Sequence, residues 1–256
     1  MKKMLLLAVT ALIILGGICA VSARSEKDKD VKEQPVTENI LPKHNHTANC
    51  ENTSAEPVQI ICILDRSGSM QSLTEDVIGG YNSFLEKQKK ESGTAEVTTI
   101  LFDDKYEKIE DAVNLNDAKN LTSEIYYARG NTALMDALGK TIMETLGTMA
   151  KENICPAKRR VLVMIMTDGL ENASTEYSKA KIKSMIEATT KEYNWNYVFI
   201  GANIDSASEA QSIGIRADHS ANFAPDSGGV RETFERMDEA AKDVRERGKV
   251  NENWGD

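Results

Sequence analysis

The sequence predicts an α/β domain: a doubly wound, mainly parallel six-stranded sheet with one antiparallel edge strand and helices on both faces. Three observations predict it. From Val58 onward, apolar runs of five to seven residues alternate with amphipathic helical patterns, the texture of strands joined by crossover helices. The step "FDDKY" between the second and third runs is tight enough for a hairpin, which only an antiparallel pair can use. A length of 256 residues suffices for one domain with a sizeable core and a short appendage, and is thin for two.

In chain order the expected strands are Val58–Leu64, Ala95–Phe102, Tyr106–Ala112, Arg160–Met166, Tyr197–Ala202 and a less apolar Ala221–Ala224. Helical spacing fills the gaps. Val77, Tyr81, Phe84, Leu85 and Gln88 follow it with only the last polar, and Leu134, Leu138, Ile142, Leu146 and Met149 follow it without exception. Ile182, Met185, Ile186 and Thr189 mark a third helix; Val230, Phe234, Met237, Ala241 and Val244 mark a fourth. The fourth also reads as a coiled-coil seam, but two heptads are short for one, and a helix docked on the sheet is the expectation. No internal repeat is visible.

Ahead of the domain, "MKKMLLLAVTALIILGGICAVSA" places two lysines before an apolar run and small residues at its end, so residues 1–23 are expected to be a secretory signal cleaved after Ala23. An uncleaved anchor and a lipid-anchored Cys19 are the alternatives; Gly16 and Gly17 argue against the first, the bulky Ile18 against the second. Residues 24–57 are polar, charge-mixed and aperiodic, as a linker or stalk would be. The "HNH" at His44–His46 lies in that segment and makes a poor metal site. The domain is expected over 58–248, with 249–256 a tail.

The chain carries 31 basic and 40 acidic residues. Loss of Lys2 and Lys3 with the signal leaves 29 against 40, near −11, which disfavours nucleic acid and anionic membrane surfaces as partners. Any membrane link would run through an uncleaved signal. Beyond Cys19 remain Cys50, Cys62 and Cys155, so at most one bridge can form within the chain. Cys62 falls inside the first strand as a buried thiol. Cys50 and Cys155 each precede a strand, so both belong at the amino edge of the sheet; if those strands are neighbours, the two can reach the ~5.5 Å Cα separation of a disulfide. A link between two chains through Cys50 remains open.

The chemistry concentrates where apolar runs stop. "IICILDRSGSM" ends a strand on Asp65 and follows it with Ser67 and Ser69; "VLVMIMTDG" ends another on Asp168; "GNTALMDAL" places Thr132 at a loop-to-helix junction. In an open α/β sheet, ligands sit beyond the carboxyl ends of the strands where the strand order reverses. Asp65, Ser67, Ser69, Thr132 and Asp168 are all hard oxygen donors, only two of them charged, which suits Mg²⁺ or Mn²⁺ and is too poor in carboxylates for tight Ca²⁺ binding. The plainer alternative is that Asp65 and Ser67 cap a following helix and that Thr132 is an N-cap. Asp103, Asp104 and Arg129 are expected to be solvated loop charges, and Glu171 and Asn172 to lie off the ion.

"DRSGSM", the isolated Thr132 and "MTDG" together resemble the Asp-x-Ser-x-Ser, Thr and Asp elements of the von Willebrand factor A domain, in its bacterial form, over roughly Val58 to Gly248. "VFIGANID" and "SIGI" are also similar to bacterial members. The resemblance implies a Rossmann-like fold and a metal-ion-dependent adhesion site, with the positions of Ser67, Ser69 and Thr132 ligating Mg²⁺ through hydroxyls, those of Asp65 and Asp168 acting largely through water, and a partner's carboxylate completing the shell.

The expected function is therefore a secreted, periplasmic or cell-surface binding module that grips an acidic residue of a protein partner, not an enzyme. A metal-dependent hydrolase with Ser67 or Ser69 as nucleophile needs a nearby base, and the one histidine of the folded region, His219, is remote in sequence. A subunit of a larger assembly is the third possibility, against which the export signal argues.

Overall fold

The structure, a computed structural model, describes residues 57–252, 254 and 255. The expected signal, Cys19, the two histidines at 44 and 46, Cys50 and the stalk up to residue 56 lie outside the described residues.

Six strands form one sheet: β1 (Val58–Asp65), β2 (Ala95–Phe102), β3 (Tyr106–Asn114), β4 (Val161–Thr167), β5 (Asn196–Gly201) and β6 (Ser220–Asn222). They run in the order β3-β2-β1-β4-β5-β6, all parallel except the β2–β3 hairpin. The chain winds outward from β1 to β3 and then returns to β4 on the other side of β1. The order thus reverses between β1 and β4, and their carboxyl ends open a crevice there.

The burial of β1 follows from this position. All eight of its residues are buried, because it is central and covered on both faces. Ile60, Cys62 and Leu64 join the core that holds α1 (Thr74–Gln88) and α5 (Ser227–Arg247), while Ile61 and Ile63 join the core under α2 (Leu134–Lys151) and α3 (Lys179–Tyr193). The period-2 alternation of a strand divides its side chains between two helical layers.

The final helix docks on the sheet as expected. Val230, Phe234, Met237, Ala241 and Val244 are buried. Phe234 lies so close to α1 that a Cβ at Gly80 would meet its ring at 2.2 Å. The polar position in the α1 pattern also has its reason: Gln88 is buried and donates to Asp238 Oδ1 at 2.8 Å on α5.

Observed strand boundaries move by one to two residues at most ends. The larger difference is a helix with no expectation behind it, α4 (Ser206–Ser212), whose sequence "SASEAQS" buries one apolar side chain, Ala210, and shows no periodicity. It starts because Asp205 accepts from the Ser208 amide at 3.0 Å. Cys62 is a buried free thiol, and Cys155, just ahead of β4, is buried and disulfide-bonded.

Candidate metal centre

The crevice is built from four loops tied by their backbones. Gly68 N donates to Gly130 O (3.2 Å), Arg129 N to Arg66 O (2.8 Å), Ala133 N to Asp103 O (2.9 Å) and Asn172 N to Thr132 O (3.0 Å). Gly130 must be glycine here: its φ is +67°, and a Cβ would stand 1.7 Å from Asp104 Oδ1.

The loops bring the five expected residues together. Asp65 ends β1 fully buried; its Oδ1 accepts from Ser67 N at 2.7 Å and its Oδ2 from the Thr167 hydroxyl at 2.6 Å, while its carbonyl accepts from the buried Tyr126 hydroxyl at 2.5 Å. Ser67 Oγ and Ser69 Oγ are 3.1 Å apart, and Ser69 Oγ donates to Asp168 Oδ1 at 2.5 Å. Thr132 completes the group, since a Cβ at Gly169 would lie 3.7 Å from Ser69 Oγ and 3.8 Å from Thr132 Oγ1. Gly169 thus lies beside both hydroxyls.

The capping alternative does not hold for the hydroxyls. Ser67 makes no side-chain cap bond to the 3-10 turn after it, and the N-cap of α2 is Ala133, not Thr132. The α2 terminus is instead served from 36 and 38 residues further on: Met135 N donates to Glu171 Oε2 at 2.9 Å and Asp136 N to Ser174 Oγ at 3.0 Å. Glu171 is therefore turned to α2 and away from the ion position, as expected. Asn172 accepts from Thr132 N at 2.9 Å and so fixes the backbone of that donor. Its positioning role has no signal in the sequence beyond its closeness to Asp168.

Electrostatically the site is short of positive charge. Burial raises the Asp65 carboxyl to about 6, against the opposing hydrogen bonds from Thr167 and Ser67, with the Asp168 charge adding to the rise. Asp168 is also raised by burial, against the hydrogen bond from Ser69. Among the described residues neither carboxylate forms an ion pair with a Lys or Arg, and none is a leading cause of either shift. Three hydroxyls and two carboxylates fit a hard, six-coordinate cation. Among the described residues there is no cluster of three or more His, Cys, Asp and Glu that could hold a metal; a site built on hydroxyls would not produce one.

Two expectations about the rim, those for Asp103 and Arg129, are corrected. Asp103 is not a solvated loop charge: it is fully buried and accepts from Arg66 Nε at 3.0 Å, Arg129 Nε at 2.7 Å and Lys105 N at 2.7 Å. Arg66 Nη2 lies 2.7 Å from Glu107 Oε1 at an angle too poor for a hydrogen bond. Asp104 is exposed as expected, while Arg129 is paired with Asp103 and Glu107.

Comparison with known proteins agrees with this fold. The family model described as "VWA domain containing CoxE-like protein" matches residues 43–196, more than half of the chain. A comparison with curated proteins finds no match. Among solved structures, the fold is similar to the pilus adhesin SpaC from Lactobacillus rhamnosus GG in its open conformation (TM-score 0.56, 13% identity, 75% of this chain and 31% of that one). It is also similar to manganese-loaded TRAP protein of Plasmodium vivax (0.50, 19%, 71% and 73%) and to proximal thread matrix protein 1 of the mussel byssus with a zinc-occupied MIDAS motif (0.52, 14%, 73% and 48%). The chain spans 43–48% of the length of the first solved structures it matches. The matched family model, the six-stranded sheet and the Asp-x-Ser-x-Ser, Thr and Asp elements at its carboxyl edge place this chain in the von Willebrand factor A family, among its CoxE-like members.

Proposed function

We propose that this domain is a metal-dependent protein-binding module. Ser67, Ser69 and Thr132 hold Mg²⁺ or Mn²⁺ through their hydroxyls, Asp65 and Asp168 support it largely through water, and a carboxylate of a protein partner takes the remaining position. The observation that carries this reading is the meeting of three hydroxyls and two burial-raised carboxylates that form no ion pair with a Lys or Arg among the described residues. An ion held mainly by neutral oxygens keeps most of its charge for an incoming anion. The manganese of TRAP and the zinc of the mussel protein, on the same fold, support a divalent ion.

Catalysis is not part of the proposal. His219 lines a cavity with Trp195 and Asn196 at the amino end of β5, whereas the proposed ion site lies at the carboxyl ends of β1 and β4. A serine nucleophile would lack a histidine base there. The basic start and apolar run of residues 1–23 support export to a secreted, periplasmic or surface location. The amino-edge placement of Cys155 supports a Cys50–Cys155 bridge, which would stabilise the domain by ~2–4 kcal/mol; mass spectrometry of unreduced protein should show the linked peptides.

Titration calorimetry with Mn²⁺ on wild type and Asp65→Ala tests the ion site. Binding by wild type alone is expected; equal binding by both overturns the assignment. The CoxE-like family match favours a second reading, a subunit of a larger assembly. Cell fractionation separates the two, because export predicts the protein outside the cytoplasm.

A further inference from the structure

Among the described residues, the exposed large hydrophobic side chains are Ile125, Tyr127 and Leu170, at 37%, 42% and 60%. Single exposed apolar residues are ordinary. These three stand on the two loops that deliver the site residues: Ile125 and Tyr127 precede Thr132, and Leu170 follows Asp168 by two positions. We infer that they form the apolar part of the partner-binding face, and that the partner is a protein segment whose acidic residue is flanked by apolar side chains. The inference rests on the carboxylate-gripping reading above and names the partner's chemistry.

The Tyr127 side chain and the backbone around the other two are tied down, which distinguishes them from loop residues exposed by default. The Tyr127 ring lies near two guanidiniums, Arg66 at 5.6 Å and Arg129 at 5.2 Å, and its hydroxyl accepts from Arg129 Nη1 at 2.7 Å. Arg66 is itself fixed by the buried Asp103 and donates to Ile125 O at 3.3 Å. On the other loop, Leu170 stands between Gly169 and a segment pinned through Glu171, Asn172 and Ser174 to the Thr132 loop and α2. A rigid exposed aromatic or aliphatic group loses little freedom when covered, so its burial goes into affinity.

Charge points the same way. The protein is acidic, so its long-range field opposes an acidic partner. Attraction must be local, and beside the ion position the rim offers apolar area: the two arginines nearest Tyr127 are already paired with Asp103 and Glu107.

The test uses the purified domain in Mn²⁺ over two immobilised peptides of equal charge, Gly-Leu-Phe-Glu-Leu-Gly and Gly-Ser-Asn-Glu-Ser-Gly. The apolar-flanked peptide should be held about tenfold more tightly. Leu170→Ser should remove most of that preference while leaving calorimetric Mn²⁺ binding and retention of the polar-flanked peptide unchanged; Tyr127→Ser, with folding checked by thermal melting, should act likewise. Equal retention of both peptides by wild type, retention of neither, or an unchanged preference in folded Leu170→Ser protein overturns the inference. An apolar preference that survives EDTA and Glu→Gln peptides, yet is lost in Leu170→Ser, would instead remove the carboxylate reading and leave the apolar surface standing.

Discussion

Asp65 and Arg66 are neighbours in the chain and enter two polar clusters of opposite character. Arg66 joins Asp103, Arg129 and Glu107, two cations with two anions, the first pair buried and the second partly exposed. Asp65 joins Asp168 and three hydroxyls with no cation. The carboxyl groups register the difference. Glu107 is held below the ordinary range by Arg66 first and Arg129 next, with partial burial opposing them, whereas burial pushes Asp65 and Asp168 up. One cluster is complete within the protein and serves as structure. The other has no cation of its own among the described residues, and the proposed ion would supply that charge.

The largest effect expected from breaking this contrast is on the closed side. Arg66→Met strips a partner from the buried Asp103, which keeps only Arg129 and the Lys105 amide, so stability in EDTA should fall by about 3 kcal/mol on urea denaturation. A loss near zero would mean that the cluster is not the support described here.

On the open side, Mn²⁺ at about 100 times its Kd should add ~2.7 kcal/mol to wild type and nothing to Asp65→Ala, read as the shift in Tm. The pH response sharpens the contrast. In metal-free protein the Asp65 pKa rises from 3.8 to about 6. Between those values the folded form binds more protons than the unfolded one, so lowering pH from 7 to 5 should stabilise wild type in EDTA by about 1.3 kcal/mol relative to Asp65→Asn. Ion binding needs the same carboxylate ionised, so the gain from Mn²⁺ should shrink as pH falls below 6. A gain independent of pH between 5 and 7 would detach Asp65 from the ion.

The smallest effect concerns Asn172. Removing its bond to the Thr132 amide in Asn172→Ala should cost about 1 kcal/mol and weaken Mn²⁺ binding several-fold, without changing the response to Arg66→Met. Undiminished Mn²⁺ affinity would limit Asn172 to a structural role.

The order of residues was enough to give the sheet, its antiparallel edge, four of the five α-helices among the described residues and the five oxygen-bearing side chains that the loops bring together. Each of these rests on a short-range pattern: apolar runs for β1 and β4, helical spacing in α2, and side-chain types at the stop of each run. The short α4 buries too little apolar surface to leave a period, and its start is set by one capping bond.

Tertiary structure alone decided what the polar side chains face. Asp103 and Asp104 are adjacent in "FDDKY" and look alike in sequence, yet Asp103 is fully buried between Arg66 and Arg129 while Asp104 is exposed at the tip. Glu171 looks as near to Asp168 as an ion ligand would be, and it serves the terminus of α2. Such roles come from partners 26 to 37 residues away in the chain, brought close by strand order and loop ties. Side-chain type and local period set which element a residue belongs to, whereas the sign of a charge says nothing about which distant opposite charge will meet it.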